Sequence, residues 1–154
     1  MLACFAVHAG AYAADWKYYE AKDYGFSMLV PSAARLQTRE WGGGWGGIAS
    51  TLEGVRFYGL AKLGPRETDA DIEKYALNVI GIPAGAWTKT DQAINVRGWE
   101  RSYVFKANVG TRLIYGMYGV GQKGNYLLYL DTTPGDYMDN KADYDKWYES
   151  IRLD

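Results

Sequence analysis

The stretch REWGGGWGGIAS, Arg39 to Ser50, sets five glycines around two tryptophans. Glycine lets backbone amides approach a ligand, so anion cradling is the first chemistry to test. A phosphate loop needs a lysine, and a serine or threonine that opens a helix after the glycines. Here Gly46-Gly47 runs into IASTLE, an alternating, β-branched segment without lysine. A dinucleotide fingerprint also needs a following helix. The phosphate reading therefore fails, and two others remain. In one, the glycines form a hairpin tip, and Trp41 and Trp45 pack back on a sheet. In the other, the loop is a mobile lip. Trp41, Gly43, Gly44, Trp45 and Tyr58 then make a binding site whose flat rings receive a sugar, an aromatic ligand or a partner protein. Tyr115 and Tyr118 would extend that platform from strands expected to lie near one another. Cross-strand packing is the plainer role for most of the tyrosines.

The second cluster is acidic: Asp131, Asp136, Asp139, Asp143 and Asp145. Calcium takes oxygen ligands of this kind. The spacing lacks the EF-hand pattern, however. Acids before and within the first turn of a helix are ordinary capping and dipole chemistry. No metal and no cofactor are expected.

The only histidine, His8, and the only cysteine, Cys4, both fall in MLACFAVHAGAYAADW. That segment is apolar, carries no charge before Asp15, and contains Ala11-Tyr12-Ala13, an A-x-A pattern for signal peptidase. Residues 1–14 are read as the tail of a secretory signal whose basic start lies upstream, with 15–154 as one mature domain. Two other readings are an apolar first element of the fold and a truncated lipobox acylated at Cys4. The stretch is too short to span a bilayer.

Once cleaved, the chain has neither imidazole nor thiol. Ser-His-Asp and Cys-His catalysis are then impossible, as are typical zinc, haem, blue-copper and iron–sulfur sites. Without cysteine there is no internal disulfide, which suits a bacterial periplasm. Paired carboxylates, a Ser–Lys pair or an oxygen-ligated cation are the remaining enzymatic options. A glycosidase pair needs carboxyls about 5–10 Å apart across a cleft, and 154 residues is short for a deep one. The expectation is a protein that is not an enzyme. Basic and acidic residues number 17 and 18 and are interspersed. No basic stripe suggests nucleic acid, and no polybasic or long amphipathic segment suggests a membrane surface.

These side chains must be held by an α+β framework. Ile72, Tyr75, Ala76 and Val79 fall on one helical face, which predicts a helix from Asp69 to Gly81 capped by Thr68 or Asp69. Gly81 and Pro83 stop it. Tyr144, Trp147, Tyr148 and Ile151 predict a second helix from about Asp139 to Ser150, started by Asp136 or Asp139 after the turn signal Pro134-Gly135. Elsewhere the pattern is strand-like. WKYYEAK and FSMLV flank Asp23-Tyr24-Gly25, a hairpin signal. RLQTREW and IASTLE flank the glycine run, and VRFYGLAKL follows. INVRGWERSYVFKA reads as one alternating strand, with Trp99, Arg101, Tyr103 and Phe105 on a shared face. TRLIYGMYGV and NYLLYLDT reverse at Gln122-Lys123-Gly124, and YLLYL, apolar on both sides, reads as a central strand. Short reversals imply a twisted, mostly antiparallel sheet flanked by two helices, an αβα sandwich.

Two stretches carry a family resemblance. AKDYGFSMLVPSAARL, residues 21–36, resembles the opening hairpin of PsbP-like domains, which turn through a Tyr-Gly-Phe-Ser-like sequence into an apolar strand ending at proline. YDKWYESIRLD, residues 144–154, resembles their last helix and its Ser-Ile/Phe-Arg ending. The element order between them is similar too, including that of DcrB-like periplasmic proteins. The matching residues are structural: Gly25 for a turn, Phe26 and Leu29 for the core, Pro31 for a strand end. The superfamily includes photosystem accessory subunits, a Ran-binding nuclear factor and many secreted proteins. The resemblance therefore implies binding or assembly rather than catalysis, and it transfers no set of functional residues.

Three functions follow, in order of expectation. The first is a secreted or periplasmic binding or assembly-accessory domain whose partner is another cell-envelope protein. The second is a small-ligand or carbohydrate-binding module built on residues 41–47. The third is a carboxylate-dependent hydrolase.

Overall fold

The computed structural model describes residues 15–90 and 93–154. The leader reading, with Cys4 and His8, falls outside the described residues. Strands β1 (Trp16–Ala21) and β2 (Phe26–Pro31) form the expected hairpin about Gly25, whose φ is +78°. A Cβ there would sit 2.7 Å from the Tyr126 hydroxyl, so glycine answers both conformation and space. Strands β3 (Arg35–Gly42) and β4 (Trp45–Leu52) form the second hairpin. Its two-residue loop has Gly43 at φ +64° and Gly44 at φ +88°, the left-handed pair that matches strand twist. Strand β5 (Val55–Leu63) follows.

Helix α1 (Asp69–Ile80) then crosses the sheet. The Asp71 N–H donates to the Thr68 side chain at 3.1 Å, and Gly81 closes the other end in a left-handed conformation. Ile72, Ala76 and Ile80 are its buried face. A 3-10 turn (Ala84–Ala86) leads to β6 (Thr88–Lys89), β7 (Ala93–Val96), β8 (Trp99–Val109), β9 (Arg112–Gly121) and β10 (Gly124–Thr132). The chain closes with α2 (Pro134–Asp139), α3 (Lys141–Ser150) and β11 (Arg152–Leu153).

An eight-stranded sheet runs β3-β4-β5-β10-β9-β8-β6, with β7 also paired to β8. A small sheet, β1-β2-β11, packs on one of its faces with α3. Every strand pairing among the described residues is antiparallel. As read from YLLYL, β10 is central and covered on both sides. Tyr126, Leu128 and Leu130 join the core beneath α3, while Leu127 and Tyr129 join the core beneath α1. The α+β class with helices on both faces of an antiparallel sheet is thus observed.

Three local expectations are corrected. INVRGWERSYVFKA is a hairpin, β7 to β8, and not one strand. Arg97 (φ +49°) and Gly98 (φ +87°) make its turn, and an Arg-Gly turn lacks the usual Asn or Asp signal. A register shift between Trp99 and Arg101 also breaks the alternation. Trp99 therefore enters the α3-side core against Tyr126, while Phe105 lies beneath α1 with Tyr103 packed on that core. Finally, the second helical stretch divides at Asn140 into α2 and α3 and starts earlier, at Pro134. Thr133 supplies the cap, accepting from the Asp136 N–H at 3.1 Å.

Candidate functional site

On the α1 side of the main sheet, side chains fall into two unlike halves. Beneath α1 the polar groups are paired. Arg101 Nε donates to Asp69 at 2.8 Å and its Nη2 to the Glu67 carbonyl at 3.3 Å. Lys89 donates to Glu73 at 3.0 Å, and the Tyr118 hydroxyl donates to the same carboxylate. Burial, reinforced by that carboxylate, holds the Tyr118 phenol far above its ordinary value. Trp87, Phe105 and Tyr118 pack as an aromatic cluster around this network.

Beyond the helix, β3, β4 and β5 leave the sheet face open. Arg35, Gln37, Arg39 and Trp41 alternate along β3 and rise on this side. Arg56 and Tyr58 rise from β5. Between them β4 presents only Ala49 and Thr51, in the rows Gln37–Ala49–Tyr58 and Arg35–Thr51–Arg56. Small residues in a middle strand between tall neighbours make a trough. Its upper part is a hollow of about 680 Å³, closed on one side by Tyr75, Asn78 and Val79 of α1. It continues toward Arg35 as a hollow of about 520 Å³ that shares Gln37, Ala49, Thr51 and Arg56.

The trough carries an excess of positive charge. Arg35, Arg39 and Arg56 are exposed and enter no salt bridge among the described residues. No carboxylate lines the upper hollow, and Glu53 is the acid lining the lower one. The Arg39 guanidinium lies 4.3 Å from the centre of the Trp41 ring, a cation–π contact. Trp41 meets Tyr58 edge-on at 6.3 Å, and Tyr58 stacks on Tyr129 at 4.8 Å. The Tyr75 hydroxyl is buried without a hydrogen-bond partner among the described residues. Its burial pushes the phenol up to about 12, against the pull of Arg39.

The residues expected to form a platform are therefore divided. Trp41, Gly43 and Tyr58 line the trough. Trp45 does not: it is 2% exposed and lies flat against Tyr75, ring centres 4.4 Å apart and planes within 4°. It is a packing residue, because α1 covers its strand position. Gly44 serves the turn and approaches Lys62, whose Cε would be 3.2 Å from an added Cβ. Tyr118 is buried beneath α1. Tyr115 points to the opposite core and donates to Asp145 at 3.2 Å. Residues 115 and 118 differ in parity on one strand, so they could not share a face. Trough arginines were missed at the sequence level, although the alternation of Arg35, Gln37, Arg39 and Trp41 was legible in RLQTREW.

Asp131, Asp136 and Asp145 have structural partners. Asp131 binds Arg112 at 2.8 Å. Asp136 accepts from Thr132 at 2.6 Å and from Asn140 at 3.0 Å, and also from Tyr144. Asp145 pairs with Lys141 at 2.8 Å. Among the described residues, no group of three or more histidine, cysteine, aspartate or glutamate side chains could hold a metal ion. No helix among them is long and apolar enough to cross a membrane.

No protein-family model matches the sequence, and no curated protein matches it. Among solved structures, the chain is similar to the solution structure of cyanobacterial PsbP (CyanoP) from Synechocystis sp. PCC 6803. The TM-score is 0.63 at 13% identity, covering 92% of this chain and 94% of the other. The chain therefore has a PsbP-like fold.

Proposed function

We propose that this protein is a non-catalytic accessory domain that works outside the cytoplasm by binding, and that the open trough over β3–β5 is its working face. The observation that carries this reading is the trough's content. It presents guanidiniums, amides and ring faces, and no carboxylate in its upper hollow. It therefore lacks the facing acids that hydrolysis by a carboxylate pair would need. The PsbP-like fold and the leader reading of residues 1–14 support the same assignment, and DcrB-like periplasmic proteins are the branch we favour. The partner is another protein of the cell envelope. Fractionating cells that produce the full chain tests the location. The expected result is a processed form, starting near Asp15, in the extracytoplasmic fraction. A cytoplasmic protein retaining Met1 would defeat it.

A second reading has its own support. At about 680 Å³ the upper hollow is within the size range of small-ligand sites, and Trp41 and Tyr58 supply the flat faces that sugars stack on. Trp41 then acts as the receptor, while Trp45 stacks on Tyr75 at the rim of the hollow. Titration of glycans against the tryptophan emission of wild type and Trp41→Ala checks it. A response retained in the variant would remove Trp41 from the site.

A further inference from the structure

We infer that the trough takes a carboxylated oligosaccharide, a run of sugar rings bearing uronate groups. This rests on the carbohydrate reading above and narrows it to a charged class. Three features act together. The first is charge. Arg35, Arg39 and Arg56 are exposed and lack salt-bridge partners among the described residues, unlike Arg66, Arg101 and Arg112, which each hold a carboxylate. A guanidinium is the group best shaped to grip a carboxylate with two parallel hydrogen bonds.

The second feature is spacing. Four residues of extended strand put Arg35 about 13 Å from Arg39. Arg56 stands two strands across from Arg35, roughly 10 Å away at the backbone. Cations strung along the trough match acids repeated on successive units better than one compact anion. The two hollows join through Gln37, Ala49, Thr51 and Arg56, which gives such a chain a continuous path.

The third feature separates a sugar from an acidic peptide. Peptide docking relies on apolar anchors seated in pockets, and Ala49 and Val79 are the aliphatic side chains of the upper hollow. The rest of it is amide, hydroxyl, guanidinium and ring. Gln37 and Asn78 are exposed amides that can meet hydroxyls on a sugar, and the half-buried Trp41 and Tyr58 offer faces to its rings.

The test is calorimetric titration of the full chain with a galacturonate hexamer, its fully methyl-esterified form, and a hexa-aspartate peptide. The galacturonate should bind most tightly and should weaken as salt rises. Arg39→Ala and Arg56→Ala should each weaken it by about tenfold. Arg39→Lys should fall between, since the charge stays and the fork is lost. Arg152→Ala, an exposed cation elsewhere, should bind as wild type does, and all variants should keep the wild-type denaturation midpoint. Equal binding of the esterified hexamer would overturn the charged class while leaving the carbohydrate reading standing. Preference for hexa-aspartate would overturn the sugar as occupant. Failure of every ligand to bind would overturn the uronate occupant, and undiminished binding by Arg39→Ala and Arg56→Ala would overturn the site.

Discussion

The two halves of the α1-side sheet face use the same residue types for opposite ends. Beneath the helix, arginine and lysine are neutralised by Asp69, Glu73 and Glu67, and the aromatic rings are stacked out of solvent. A few strands away, Arg39 and Arg56 have no acid partner among the described residues, and Trp41 keeps part of its ring exposed. Both halves share one sheet and one face. What differs is whether α1 lies above, so the helix's placement divides residues that hold the fold from residues free to hold something else.

The sharpest break of that comparison is at the paired tryptophans. Trp45→Ala should cost about 3–5 kcal/mol, because it empties a buried indole site beneath α1. A urea midpoint near wild type would mean that the helix does not depend on this stack. Alkaline pH is the next lever. Tyr115, Tyr118 and Tyr129 all have phenols that burial pushes above their ordinary value of 10.0. Folding therefore favours their neutral form. That stabilisation is complete below pH 10 and is lost as the pH climbs from there toward the folded-state values. The denaturation midpoint should fall above pH 10, and Tyr118→Phe should flatten the decline. An unchanged slope in that variant would place the alkaline sensitivity elsewhere.

Smaller effects set the halves against each other directly. Arg101→Ala removes a partly exposed tether between β8 and α1, and should cost about 1 kcal/mol after screening. Arg56→Ala, in the trough, should stay within about 0.5 kcal/mol of wild type. If their unfolding free energies were reversed, the division into closed and open halves would be wrong. Tyr75→Phe is the mildest. It deletes a hydroxyl that is buried without a partner among the described residues while keeping the ring against Trp45, so stability should hold or rise slightly.

How much of this could be read from the chain depends on how local each signal is. The hairpins at Gly25 and Gly43-Gly44 follow from turn chemistry within a few residues, and α1 from its own periodicity and caps. The turn at Arg97-Gly98 was hidden because its geometry is held from afar: a Cβ on Gly98 would fall 2.2 Å from the Leu153 carbonyl. The bulge beside it, which sends Trp99 to the far core, leaves no mark in an alternating pattern. Trp41 and Trp45 look equivalent in sequence, and only Tyr75 on α1, some 30 residues later, tells them apart. The trough needed both kinds of information. The alternation along β3 is local, but the low floor at Ala49 and Thr51 appears only once β3, β4 and β5 are side by side.

The placement of β11 has a consequence for biosynthesis. Strand β2 is flanked by β1 from its own hairpin and by Arg152–Leu153 from the far end of the described chain. The Leu153 N–H also donates to the Arg97 carbonyl at 3.0 Å. The small sheet cannot be completed until residue 153 has left the ribosome, so the first hairpin waits on a segment made long after it. A nascent chain arrested before Ile151 would leave the Phe26–Ser27 edge of β2 without its β11 partner.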